Sequence, residues 1–190
     1  MVYEQARRPL ADRLRVLERG SSTGEAVEFF DACAPVGVEE MLGRWKGSGL
    51  FTGHPLDGLL EAFRWHGKRF DGVDEAHPLV FRGGAGVFSV NPAVVPMWLA
   101  TRFRRLVHSR LAVLAGRAVI RAARTGKPKA RLRMMEYRGV STATMSYDAL
   151  PINDHFRRVE PDTLLGVMDL RGVEQPFFFV LRRESRGGDG

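Results

Sequence analysis

The sequence predicts a mainly β protein with helices, in which about eight to ten short antiparallel strands close into a barrel with N-terminal helices and a helical insertion at about 93–123. Three observations predict it. The last third reads as a meander of strands separated by turns at Arg138-Gly139 and Arg171-Gly172. Several of these strands are apolar on both faces, with Phe177, Phe179 and Leu181 on one side and Phe178 and Val180 on the other. One such face lines an interior while the other lies under helices. The third observation is Gly43-x-Trp45-x-Gly47-x-Gly49, which opens the first extended segment. There an indole plugs the narrow end of a barrel and glycines let the strand coil around it. Closure also removes the exposed sheet edges that so many short strands would otherwise present.

Taken along the chain, Leu10, Leu14 and Leu17 stand at helical spacing and predict a short amphipathic helix. Gly20-Ser21-Ser22-Thr23-Gly24 interrupts it, and Thr23 is read as the N-cap of a second helix that runs to about Ala32 and stops before Pro35. Val38 to Leu42 makes one further turn, ended by Gly43. Extended structure follows to Phe51, then a helix over Leu56–Phe63 and short strands at about Lys68–Asp71, Leu79–Arg82 and Val87–Val90. Gly83-Gly84 makes the turn between the last two. From Pro92 to Ala123 the apolar residues Val95, Leu99, Leu106, Leu111, Leu114 and Ile120 predict two helices or one broken helix. Strands are then expected at Ala130–Tyr137, Val140–Tyr147, Ile152–Arg158, Thr163–Leu170 and Phe177–Arg183.

At 190 residues the chain suits one domain with a sizeable core. The expected organisation is a helical extension at 1–22, the barrel domain at 23–184 and a disordered tail at 185–190. Within the domain, 23–92 carries the glycine–tryptophan motif, 93–125 is the helical insertion and 130–184 is the meander. Cys33 is the single cysteine, which excludes an intrachain disulfide and, in its apolar setting, reads as a buried structural thiol. The first residues carry no apolar signal-peptide core and no apolar run approaches a membrane span, so a cytoplasmic protein is expected.

The charge is unevenly spread. Between Ala76 and Met135 there is no Asp or Glu, while Arg82, Arg102, Arg104, Arg105, Arg110, Arg117, Arg121, Arg124, Lys127, Lys129, Arg131 and Arg133 supply twelve of the 29 basic residues. The remainder holds the other 17 against all 22 acidic residues. A basic block on an otherwise acidic chain is a docking face for something anionic, and the 102–133 segment is expected to allow peripheral contact with an anionic membrane. Nucleic acid is not expected as a partner, because the aromatics Trp98 and Phe103 stand only near the start of the block. Nothing in the sequence indicates an oligomeric state.

Gly43-Arg44-Trp45-Lys46-Gly47, Gly53-His54-Pro55-Leu56-Asp57, Trp65-His66-Gly67-Lys68-Arg69-Phe70, His77-Pro78-Leu79 and Asn91-Pro92 together resemble the bacterial family named for its GXWXG motif. Arg131-Leu132-Arg133-Met134-Met135-Glu136-Tyr137-Arg138-Gly139, Tyr147-Asp148-Ala149-Leu150-Pro151-Ile152-Asn153-Asp154 and Met168-Asp169-Leu170-Arg171-Gly172 resemble its companion, domain of unknown function 4334. The resemblance spans about Thr23 to Glu184. It implies a lipocalin-like or fatty-acid-binding-protein-like barrel and brings no established catalytic residues. Gly43, Trp45, Gly47 and Gly49 are then the closure device, with Arg182 or Arg183 from the last strand lying over the indole.

The function expected on such a barrel is binding or carriage of an apolar or amphipathic ligand, such as a fatty acid or similar lipid. Arg131, Arg133, Tyr137 and Tyr147 are candidates to hold its polar end, and Met145, Met168 and Phe179 to form adaptable walls. Alternation groups Arg131, Arg133, Met135 and Tyr137 on one strand face and Leu132, Met134, Glu136 and Arg138 on the other, without saying which face is inward. One alternative is a barrel enzyme, an isomerase, cyclase or hydratase, using a buried carboxylate from Glu136, Asp148 or Asp154. Another is a haem protein of the nitrobindin kind, for which His155 is the one histidine on the later strands. No two His or Cys residues show zinc-ligand spacing, and neither a metal nor any other cofactor is expected.

Overall fold

A computed structural model describes residues 9–84, 86–94 and 110–185. Two helices come first, α1 at Leu10–Leu17 and α2 at Thr23–Ala32. The cap of α2 is Ser22 rather than Thr23, because Ser22-x-x-Glu25 forms a reciprocal capping box. The Ser22 hydroxyl accepts from the Glu25 amide at 3.3 Å, and the Glu25 carboxylate accepts from the Ser22 amide at 2.8 Å. A two-residue strand β1, Ala34–Pro35, then pairs at the sheet margin, followed by the single-turn helix α3 at Val38–Met41. Proline is tolerated there because an edge residue need not donate to a second neighbour.

The remaining elements are β2 (Gly43–Gly49), α4 (Leu59–Ala62), β3 (Trp65–Gly72), β4 (Glu75–Gly83), β5 (Gly86–Ser89), a 3₁₀ turn at Pro92–Val94 and α5 (Arg110–Ala122). After α5 come β6 (Ala130–Tyr137), β7 (Val140–Tyr147), β8 (Ile152–Glu160), β9 (Thr163–Leu170) and β10 (Phe177–Arg183). The protein is thus mainly β with few helices. Strands β3 and β4 run well beyond the short segments expected from the sequence, and α4 is shorter than its apolar run. Register shifts break the β3–β4 pairing at three places, which disguises a long strand pair as scattered fragments. The expected positions Val95, Leu99 and Leu106, the basic residues Arg102, Arg104 and Arg105, the aromatics Trp98 and Phe103, and most of the 185–190 tail lie outside the described residues.

All strands belong to one ten-stranded sheet, and every pairing is antiparallel. Its pairings return on themselves in the ring β8-β7-β6-β4-β3-β2-β10-β9, closed by β8 with β9, while β1 and β5 hang from β8 and β4. Most joins carry several residue pairs. The join of β4 to β6 carries one, Ala76 with Ala130. It is supported by backbone bonds from Lys129 to Ala76 and from Leu132 to Val73.

The two apolar faces of the strands pack into separate clusters. Trp45, Leu132, Met145, Phe156, Leu164, Phe177, Phe179 and Leu181 belong to the main core. Phe178, Val180, Leu165 and Val167 belong to a second layer, beneath Leu14 of α1 and Phe29 and Phe30 of α2. Two glycines make the main core possible. A side chain at Gly47 would collide with the Trp65 indole, 2.1 Å from where its Cβ would stand. Gly67, at φ +149°, brings β3 so close to β2 that a Cβ would lie 1.9 Å from the Trp45 carbonyl.

Candidate functional site

Trp45 marks one end of the main core. Its indole is fully buried and donates to the Met41 carbonyl at 2.7 Å. The Arg183 guanidinium lies 4.1 Å from the ring centroid and donates to the Leu42 and Glu40 carbonyls and to Asp162. Arg182 is turned away and pairs at 2.7 Å with Glu18, the C-cap of α1. Cation, indole and strand ends are therefore locked together where β2 begins and β10 finishes.

The other end holds a cavity of about 380 Å³. Its walls come from the β2–β3 connection and α4 (Leu56, Leu60, Phe63), from α5 (Gly116, Val119, Ile120) and from the mouthward ends of β8, β9 and β10. Apart from the Trp65 indole, the polar side chains that line it among the described residues are Lys68, Tyr147 and Asp154, and these three form one cluster. Lys68 Nζ donates to Asp154 Oδ2 at 2.7 Å and to the Pro78 carbonyl at 3.2 Å. The Tyr147 hydroxyl donates to the same Asp154 oxygen at 3.3 Å. The ammonium also stands 4.8 Å from the centroid of the Phe179 ring and 5.6 Å from that of Trp65.

This pair is a tie across the molecule. Strands β3 and β8, which carry Lys68 and Asp154, stand four places apart whichever way the ring is followed. Phe70 and Phe156 meet edge to face on the same two strands, and Phe156 meets Phe179 in the same way. In the β8–β9–β10 register Phe156 and Phe179 lie one step from Asp154 toward Arg183, the residue that covers Trp45. The ion pair is the floor of the cavity, with packed aromatics below it.

Burial sets the electrostatics. Desolvation lowers Lys68 and raises Asp154 from their ordinary values, and the attraction between them opposes both shifts. Burial, with the Asp154 charge beside it, raises Tyr147 well above the usual phenol value, so the phenol stays protonated and keeps donating. Asp154 Oδ1 and Trp65 Nε1 have no hydrogen-bond partner among the described residues.

The structure brings Tyr147, Asp154, Met168 and Phe179 together around this cavity. It places the other candidates elsewhere. Arg131 is exposed and pairs with Asp148, and Arg133 pairs with Asp74, because the face of β6 that enters the main core is that of Ala130 and Leu132. Glu136 and Asp148 are exposed. Met145 is in the main core and is not part of the lining. Tyr137 packs on the helix-covered layer and stacks on His155, with ring centroids 4.0 Å apart. His155, proposed for haem, alternates with Asp154 and so faces away from the cavity. It is buried, and its Nδ1 is 2.8 Å from the Thr144 hydroxyl. Cys33 is buried, and burial pushes its thiol up to about 12.

Lys68 and Trp65 were missed as site residues. Lys68 shares strand parity with Phe70, which is a signal for a core-facing lysine. The irregularity at Gly67 puts Trp65 on the same side against simple alternation.

Of the basic block, Arg117 donates twice to the Ala62 carbonyl, and Arg124 lies 4.8 Å over the Phe88 ring. Among the described residues no group of three or more His, Cys, Asp or Glu is placed to hold a metal, and no helix is long and apolar enough to cross a membrane.

A strand ring with an apolar cavity at one end and a cation-covered tryptophan at the other is the class of protein that fold and site define. Residues 28–86 match the family described as GXWXG protein, and residues 128–183 match Domain of unknown function (DUF4334). A crystal structure of a protein from Thermomonospora curvata is similar over 93% of this chain and 99% of that one, at 31% identity and a TM-score of 0.66. The chain belongs to the GXWXG/DUF4334 family. No curated protein matches it.

Proposed function

We propose that the ring is a closed, lipocalin-like barrel and that the protein binds or carries one small, largely apolar molecule in its cavity, polar end down on Lys68, Asp154 and Tyr147. The observation that carries this reading is the segregation of the lining. Among the described residues, apolar walls surround one buried polar cluster, as in sites where desolvation supplies affinity and a few polar groups set orientation. At about 380 Å³ the cavity falls at the lower end of the roughly 300–1,000 Å³ range of small-molecule sites. A compact ligand or a medium-length chain suits it.

The test is displacement of a fluorescent apolar probe, with native mass spectrometry of the delipidated protein. We expect a saturable one-to-one complex that Met168→Trp abolishes by filling the cavity, while the variant still unfolds cooperatively. Binding that survives the filled cavity would place the ligand elsewhere and refute the reading.

A second reading, catalysis by a buried carboxylate, has one observation in its favour. Asp154 lines the cavity, and one of its oxygens is unengaged among the described residues. Deuterium uptake from heavy water into a carbon of bound ligand, present in wild type and lost in Asp154→Asn, would favour it. No uptake leaves plain binding.

A further inference from the structure

The ligand class follows from the hydrogen-bonding capacities that residues lining the cavity leave unmet, granted that the cavity is the binding site. Asp154 is 1% exposed, and Oδ2 already accepts from Lys68 and Tyr147. Its other oxygen, Oδ1, is buried and accepts from nothing among the described residues. As a carboxylate facing the Lys68 ammonium at 2.7 Å, Asp154 accepts hydrogen bonds, so what Oδ1 lacks is a donor. Trp65 Nε1, on another lining residue, is a donor that lacks an acceptor among the described residues. Leaving such groups unpaired away from water is costly, and a ligand group that satisfies them recovers that cost.

The lining also says what the ligand is not. Lys68 is the one basic side chain among the described residues that line the cavity, and Asp154 already neutralises it. The arginines of β6, which would be natural partners for an anion, face outward to Asp74 and Asp148. An anionic head would meet the Asp154 charge in a low-dielectric site without a cation of its own.

We infer that the natural ligand is a neutral, mostly apolar alcohol whose hydroxyl donates to Asp154 Oδ1, and not a fatty-acid anion. A hydroxyl both donates and accepts, which an ether, ketone or carboxylate does not. The ligand is thereby oriented with its hydroxyl on the floor and its hydrocarbon against α4 and α5.

The experiment is a matched series of decane, decanol, decyl methyl ether and decanoate, titrated at a pH where decanoate is ionised. Decanol is expected to bind at least about tenfold more tightly than each of the others, since a site built around a donor rejects analogues that lack one. Binding of decanoate or of the ether as tight as that of decanol overturns the alcohol inference and leaves the cavity reading standing. Failure of all four, together with failure of every apolar probe, overturns both.

In the double variant Lys68→Met with Asp154→Leu, which removes both charges, the preference of decanol over its ether is expected to disappear. Replacing a buried ion pair by apolar residues of similar bulk is often tolerated. Persistence of the preference in the folded double variant would refute the role given to Asp154. The series on the wild-type protein decides the matter should the variant not fold.

Discussion

His155 shows how one side chain's surroundings carry a measurable consequence. It is 2% exposed, stacked on Tyr137 and bonded to Thr144, and burial lowers its pKa from 6.5 to about 4. The folded state therefore holds a neutral imidazole at a pH where the unfolded chain binds a proton. The unfolded chain takes up more protons between these two values, so stability is complete above about 6.5 and is lost as pH falls toward 4. The loss attributable to this group is on the order of 3 kcal/mol. His155→Phe keeps a ring against Tyr137 and removes the titration. Its urea-unfolding free energy is expected to be flatter than that of wild type across that window, with the two curves running parallel above it. Parallel curves throughout would show that His155 does not carry the acid sensitivity.

Among the elements, α5 forms one wall of the cavity. Its C-terminal end is fastened by backbone bonds from Asn91 to Ala123 and from Thr125 to Ser89. Its middle is fastened by Arg117, which donates to the Ala62 carbonyl at 3.2 and 2.8 Å. Gly116 sits so tightly on Phe63 that an added Cβ would lie 2.5 Å from that ring. Arg117→Ala releases the mid-helix fastening and frees the last carbonyl of α4. Stopped-flow displacement of a bound apolar probe should then show release faster by roughly tenfold, the scale of one charge-assisted hydrogen bond. Far-ultraviolet dichroism should remain unchanged. An unaltered release rate would mean that ligands leave by another route.

For the molecule as a whole, the two ends do different work. Trp45, Arg183 and α3 hold one end, and the cavity occupies the other, with packed aromatics between. Trp45→Ala should cost about 3–5 kcal/mol, as loss of a large buried ring does. The order of affinities within a ligand series should survive it. A changed order would show that the ends communicate.

Much of this arrangement could be read from the sequence. Arg-Gly turns and runs apolar on both faces marked the strands from Ala130 onward, and the Gly43–Gly49 motif marked the closed end. Sequence alternation could not say whether Leu132 or Arg131 faced the core, because a strand's parity is settled only by its neighbours. Asp154 was a candidate carboxylate, but its partner Lys68 lies 86 residues earlier in the chain. No local pattern links two residues that meet only when the ring is formed.

The join between β4 and β6 carries a mechanical consequence. Elsewhere the ring is bonded by runs of paired residues, whereas here it is bonded at Ala76 and Ala130 with two flanking backbone bonds. The Lys68–Asp154 tie fixes the ring's width at one depth, since prying β3 from β8 means separating buried charges. The protein is built like a split collar with a crossbar. Strain from an oversized occupant falls first on the slit and spares the bar.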